Sequence, residues 1–417
     1  QLTDSYGNSL SSWNIAEDVE VFAKWRLIEF DLEFTLNNGT LTTENPSTYT
    51  IEDLDIKINN PVRDGYIFEG WVGTGLSEPT KDLTIFAGSY GDKIFGACWV
   101  RSDEFIAISN PNDLKNISNN LNGYYYLTQN IDMTDIEFST IGDEENSFTG
   151  IIDGNNFTIS NLTLEKYFIY TLEGEIFNLE IKNINVTGDS GTMLVHTNNG
   201  IIRNCKLNGI VDVTGDYKSV EEDNTAYASG IAIINNGLIE NVIISGEIKA
   251  QGPNNSSRIL DRIVSNFAYK NTGTIRYCYS EADVSVEGTY GMTYGVGFVY
   301  KNDGEIQNTF ICGNLNVSGW GSGKVPQRCG VYLYEFTRYQ QTGMENCYIL
   351  ESSEITLYES GQIGGYYPTL SITKVEDSKI IDNSLINFGK YIDETDVILY
   401  PNNVWIFDGI TYPKLYW

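Results

Sequence analysis

The sequence predicts a mainly β chain whose larger part is a parallel β-helix, or β-solenoid, and three observations carry that reading. First, a short phrase returns six times. It reads Glu-Gly-Glu-Ile-Phe-Asn-Leu at 173–179, Asn-Gly-Ile-Ile-Arg-Asn-Cys at 199–205 and Asn-Gly-Leu-Ile-Glu-Asn-Val at 236–242. It comes back as Thr-Gly-Thr-Ile-Arg-Tyr-Cys at 272–278, Asp-Gly-Glu-Ile-Gln-Asn-Thr at 303–309 and, one residue shorter, Thr-Gly-Met-Glu-Asn-Cys at 342–347. Its glycines, Gly174, Gly200, Gly237, Gly273, Gly304 and Gly343, lie 26, 37, 36, 31 and 39 residues apart. A constant phrase with a variable remainder is the mark of stacked coils with loops inserted between them. Second, a polar–apolar alternation of period two follows the phrase, as in Lys206–Val213, which reads as strand. Third, 28 Tyr and 18 Phe with 40 Gly but 9 Pro suit β-structure with many turns.

Each position of the phrase has an expected task. The glycine turns the chain with positive φ. Two residues on, Ile176, Ile202, Ile239, Ile275 and Ile306 point inward and stack on one another. Asn178, Asn204, Asn241, Asn308 and Asn346, interrupted by Tyr277, form a ladder whose amides hydrogen-bond along the axis. The next position is inward and holds Leu179, Cys205, Val242, Cys278, Thr309 and Cys347. Cysteines alternating with Leu, Val and Thr read as free, buried thiols acting as small hydrophobes. Cys98, Cys312 and Cys329 have no such placement, and a bridge between two of them stays open.

Before the repeats, residues 1–25 end in Asp-Val-Glu-Val-Phe-Ala-Lys-Trp and residues 26–100 in Asp-Lys-Ile-Phe-Gly-Ala-Cys-Trp-Val. The second segment contains Asn60-Pro61-Val62-Arg63-Asp64-Gly65-Tyr66-Ile67-Phe68-Glu69-Gly70-Trp71, then Asp82-Leu83-Thr84. It resembles the Listeria–Bacteroides repeat, a small module of bacterial surface proteins, except that Ser89–Lys93 interrupts the usual closing strand. The resemblance implies a complete β-grasp-like spacer module over 26–100 and the C-terminal part of a truncated one over 1–25. Gln1 then falls inside a module, and no signal peptide opens the chain, so a fragment or processed product is expected. The short link at 100–104 implies limited freedom between module and repeats.

Residues 105–165 are expected to cap the solenoid, with a short helix beginning near Pro111 and capped by Asn110, since an open sheet edge must be covered. Gly123-Tyr124-Tyr125-Tyr126-Leu127-Thr128-Gln129-Asn130-Ile131-Asp132 and Phe148-Thr149-Gly150-Ile151-Ile152-Asp153-Gly154-Asn155 resemble the entry coils of GLUG-motif β-helical surface proteins. Gly295–Gly304 approximates that family's repeat, and 404–417 matches its finish. The resemblance implies a β-helix over 105–417, with a C-terminal cap over 395–417 that buries Trp405 and Trp417. About ten coils at roughly 4.8 Å each give a rod of about 50 Å.

For function, a net charge of −30 disfavours nucleic acid and anionic lipid. The carboxylates at repeat positions, Asp153, Glu173, Glu175, Glu240, Asp303 and Glu305, are scattered, without a basic cluster. The chain is therefore expected to be no enzyme. A carbohydrate-active β-helix lyase or hydrolase is the alternative, and a structural rod of a surface layer or filament is the third reading. By resemblance the leading reading is an extracellular bacterial surface adhesin or display stalk meeting glycans or proteins of host or neighbouring cells. Exposed aromatic side chains in the late coils, Tyr290, Tyr294, Trp320, Tyr332 and Tyr334, are its candidate ligand-binding residues. No cofactor is expected. Calcium is compatible with the acidic loops 142–146 and 221–224, which lack EF-hand spacing. Cys/His zinc spacing is lacking too, His196 being the single histidine.

Overall fold

The structure, a computed structural model, describes residues 17, 26–214, 225–251, 261–288, 291–320, 330–334, 337–340, 343–360, 364–367, 376, 377, 379, 405, 406, 412, 414 and 415, with side chains at most of these. The chain is mainly β with parallel sheets. From residue 175 onward it passes repeatedly through three sheets in the same order. One pass runs along Glu175–Val186, then Gly191–Thr192, then Val195–Asn198; the next runs along Ile201–Val213, Thr225–Ser229 and Ala232–Asn235. Each strand pairs in parallel with its equivalent one pass later, as Ile202 does with Ile239 and Ala228 with Val264. A continuous apolar core extends from Ile108 to Ile349 between the sheets.

The close spacing of the passes explains the repeat glycines, and here the expected turn role is corrected. Gly174, Gly200, Gly237, Gly273 and Gly304 do not have positive φ, whereas Gly343 does, at 83°. What excludes a side chain is the backbone of the pass before. A Cβ on Gly200 would stand 2.0 Å from the Gly174 oxygen, and one on Gly237 would stand 2.1 Å from the Gly200 oxygen.

The left-handed conformation falls instead on the ladder position. Asn178, Asn204, Asn241, Tyr277, Asn308 and Asn346 have φ between 49° and 53°, a region asparagine tolerates better than most side chains. The reason is phase. Successive strand residues face opposite sides, so Ile202 and Cys205, three apart, cannot both point inward along a regular strand. The left-handed residue between them resets the alternation, and both are fully buried. Asn204 donates to Asn178 (3.3 Å), Asn241 to Asn204 (3.1 Å) and Asn346 to Asn308 (3.0 Å). A second, fully buried ladder joins Asn198, Asn235, Asn271 and Asn302 at 2.7, 2.7 and 2.8 Å.

Cys205 and Cys278 are buried free thiols and Cys347 is a half-buried one. Burial pushes Cys205 and Cys347 up to about 12. Cys98 and Cys312 are also free, and Cys329 lies outside the described residues. At the start of the stack, the helix Pro111–Lys115 is capped by Asn110, whose side chain accepts from the Asn112 and Asp113 amides. Near the C-terminus, Trp405–Ile406 pairs with Lys414–Leu415, and Leu415 packs against Tyr279 and Phe310. Trp417 and the Trp405 side chain lie outside the described residues.

Residues 29–101 form a separate four-stranded sheet, in the order Thr48–Thr50, Glu29–Thr35, Lys93–Arg101, Tyr66–Gly73, around Trp71, Phe95 and Leu32. This sheet is docked on the first passes through buried charges. Arg203 pairs with Glu175 (2.5 Å) and lies over the Phe177 ring at 4.5 Å, while the Asn38 amide oxygen accepts from both its terminal nitrogens at 2.8 and 3.0 Å. Arg63 lies over Tyr66 at 3.7 Å and reaches Glu175 at 3.9 Å. Arg101 pairs with Asp153 at 3.0 Å and donates to Asn155 at 2.7 Å. Burial pushes the Asp153 carboxyl up against the pull of Arg101, and burial, then Arg203, draw Arg63 down.

Two outcomes follow in denaturant unfolding. Asn204→Ala costs about 2–4 kcal/mol, from a left-handed alanine and two lost ladder bonds. Asn204→Gly loses the bonds alone, so equal costs would remove the backbone argument. Glu175→Ala strands Arg203 in a buried site and costs about 3–5 kcal/mol. Hydrogen exchange should then quicken together in 175–186 and 93–101; quickening in the first alone would show the small sheet to be independent.

Candidate functional site

The outward positions of two of the parallel sheets bring aromatic side chains together. In the strands 169–172, 195–198, 232–235, 268–271 and 299–302, the register aligns Tyr170, His196, Ile233, Tyr269 and Tyr300. In the neighbouring sheet, Tyr227, Ile263, Tyr294 and Tyr332 are aligned. The two columns meet along the stack: Tyr227 lies 4.4 Å from Tyr269, and Tyr294 lies 5.3 Å from Tyr300, edge to face. Within each column the rings stack, Tyr269 on Tyr300 at 5.3 Å and Tyr294 on Tyr332 at 5.1 Å, both at 18°. Such contacts add to the area they bury, and they occupy ring faces that a sugar would otherwise use.

Of the candidate ligand-binding residues, Tyr294, Tyr332 and Tyr334 belong to this cluster. Tyr294 is 5% exposed, too little for a ring face to serve as an open platform. Tyr290 lies outside the described residues, and Trp320 is described only as part of the strand Leu315–Trp320. Tyr227, Tyr269, Tyr300, Arg338 and Tyr339 were not foreseen. A usable signal existed, because Tyr170, His196, Ile233, Tyr269 and Tyr300 each stand four residues before a repeat glycine.

Arg338 is aligned with Tyr300. Its guanidinium lies 4.2 Å over the Tyr294 ring, 4.7 Å over Tyr339 and 5.4 Å over Tyr300, and it donates to the Tyr300 hydroxyl. Burial pushes Tyr294 up to about 12, with Arg338 opposing. At the other end of the column, His196 stacks on Tyr170 at 4.7 Å and 17°, meets Tyr167 edge-on at 5.0 Å and shares a 2.9 Å hydrogen bond with the Thr197 hydroxyl through Nδ1. Burial lowers its pKa against the pull of Glu144, with Lys166 adding to the lowering.

The carboxylates singled out in the sequence are mostly engaged. Besides Glu175 and Asp153, Glu240 pairs with Arg276 (2.7 Å), Asp303 with Lys301 (3.4 Å), and Glu173 accepts from Asn199 (2.6 Å). In the 142–146 loop, Asp143 accepts from the Glu145 and Asn146 amides; residues 221–224 lie outside the described set. Among the described residues no helix is long and apolar enough to cross a membrane.

No family model matches the chain, so neither repeat resemblance is shown by that route. Over 221 residues the chain is 28% identical to a protein named Immunoglobulin A1 protease from Streptococcus sanguinis, a match over 49% of this chain and 11% of that protein. The chain thus spans about a tenth of that relative. Among solved structures, a putative immunoglobulin A1 protease from Bacteroides ovatus shares the fold with a TM-score of 0.51 at 19% identity, over 75% of this chain and 93% of that one. A second, named IgA1 Protease, aligns at a TM-score of 0.35 and 13% identity, over 77% of this chain and 24% of that one, too loosely to argue from. The expectation that the chain is no enzyme is corrected by the sequence match, whose name is that of a protease.

One outcome tests the histidine environment. A pKa below the unfolded value of about 6.5 means the folded form takes up its proton later than the unfolded one. His196 thus contributes stability that is present above about pH 6.5 and is lost as pH falls through the folded value. The single imidazole signal in NMR should titrate below about 6.5; a midpoint at or above it would contradict the buried placement.

Proposed function

We propose that this chain is one region of a secreted or surface-held bacterial protease of the immunoglobulin A1 protease kind. In this reading the stacked sheets are a parallel β-solenoid, the sheet at 29–101 is a β-grasp-like module docked on it, and the solenoid holds the immunoglobulin substrate for cleavage. The observation that carries the reading is the 28% identity over 221 residues. The fold shared with the Bacteroides ovatus protein is consistent with it. Two features suit the task. Backbone contact between passes makes the solenoid rigid, so a surface on it keeps its geometry. The buried ion pairs hold the module in one orientation, so the module would set the direction in which the solenoid is presented.

The test is incubation of the purified chain with immunoglobulin A1 and, separately, immunoglobulin G. Heavy-chain integrity is followed by electrophoresis and mass spectrometry, and association by biolayer interferometry. Selective association with immunoglobulin A1, or its selective fragmentation, is the expected outcome. Equal behaviour toward both immunoglobulins, or no association and no fragmentation, would remove this reading.

A further inference from the structure

The aromatic column that begins at Tyr170 ends, among the described residues, in a guanidinium. Arg338 is partly exposed, rests on Tyr294, Tyr300 and Tyr339, and its hydrogen-bond partners are the Tyr300 and Tyr294 hydroxyls. No carboxylate among the described residues pairs with it, which stands out in a chain with 56 acidic residues and 26 basic ones. Arg203, Arg276, Arg101 and Arg63, by contrast, each have an acidic partner.

A guanidinium carries five N–H donors in a planar fork, and two phenol oxygens do not use them all. Wedged among three rings and hydrogen-bonded to two hydroxyls, the fork has already lost much of its rotational freedom, so a ligand that matches it meets a pre-organised partner. The matching shape is a planar anion with two oxygens, a carboxylate. The surroundings add phenol groups at Tyr294, Tyr300, Tyr332 and Tyr339, the last 47% exposed. Tyr294 and Tyr300 are nearly buried and engage Arg338 through their hydroxyls, so the phenol open to a ligand beside the guanidinium is Tyr339, whose hydroxyl suits a polyhydroxylated ligand. Net charge limits the ligand further. A net −30 repels a polyanion, while screening over about 8 Å at physiological salt leaves one carboxylate free to respond to the nearest charge.

We propose that the surface at Arg338 and Tyr339, backed by Tyr294 and Tyr300, binds the carboxylate of a single acidic sugar at the end of an otherwise neutral glycan. The site does not depend on proteolysis by the chain and is tested by binding alone. The probes are oligosaccharides ending in glucuronic acid or N-acetylneuraminic acid, each beside its methyl ester, with heparin and an acidic peptide as competitors, in calorimetric titration of the full chain. The acid should bind at least about tenfold more tightly than its ester, the scale of one hydrogen-bonded charge. Arg338→Ala should erase that preference, and Arg338→Lys, which keeps charge but not the fork, should retain only part of it. Circular dichroism melts establish that the variants fold; should Arg338→Ala fail to, the lysine variant decides, and an undiminished preference there overturns the site. Equal binding of acid and ester, a preference that survives Arg338→Ala, tighter binding of heparin or the peptide, or no binding of any glycan would each overturn it as well.

Discussion

The backbone of each pass lies against the backbone of the next, and the rest of the structure depends on that contact. At the glycine column a single added carbon would sit about 2 Å from a carbonyl oxygen of the neighbouring pass, so the stacked strands can keep their hydrogen-bonding distance only without a side chain there. Fixed spacing and fixed register then force like positions above one another. The isoleucine column, the two asparagine ladders and the aromatic columns all follow from this one constraint. Each turns a weak local interaction into a repeated one.

Charge is arranged with equal economy. This acidic chain buries the carboxylates of Asp153 and Glu240 and nearly buries that of Glu175, and isolated burial is expensive unless a partner is present. Arg101, Arg203 and Arg276 meet that need at Asp153, Glu175 and Glu240. Two of these pairs lie where the small sheet meets the stack, so neutralising buried acids and orienting the N-terminal sheet are the same set of contacts. This makes the segment at 26–100 more than the spacer implied by its repeat-like sequence.

The aromatic side chains show how a tertiary arrangement changes the chemistry that a residue list suggests. Tyrosines in the late repeats read as stacking platforms for sugars, yet stacking on one another consumes their faces, and the Tyr294 and Tyr300 hydroxyls engage Arg338. An arginine beyond the last stacked ring then gives that end of the column a positive charge. The distant similarity to a protein named as a protease assigns no chemistry to any residue of this stretch.

By itself the sequence determined the repeated architecture: the recurring glycine phrase gave the stacked passes, the period-two pattern gave strands, and Asn110-Pro111 gave the start of the short helix. It also contained the buried ladder, since Asn198, Asn235, Asn271 and Asn302 each stand two residues before a repeat glycine, and the outward aromatic column four residues before it. Only the tertiary structure decided what each position does. Whether glycine serves a turn or a close approach depends on a carbonyl in another pass. Whether an asparagine bends the strand depends on two inward neighbours three residues apart. Arg338 meets Tyr294 only because separate sheets converge, and their separation along the chain varies with each inserted loop. Periodicity records contacts that recur at fixed sequence distance; it has no term for those set by the path between sheets.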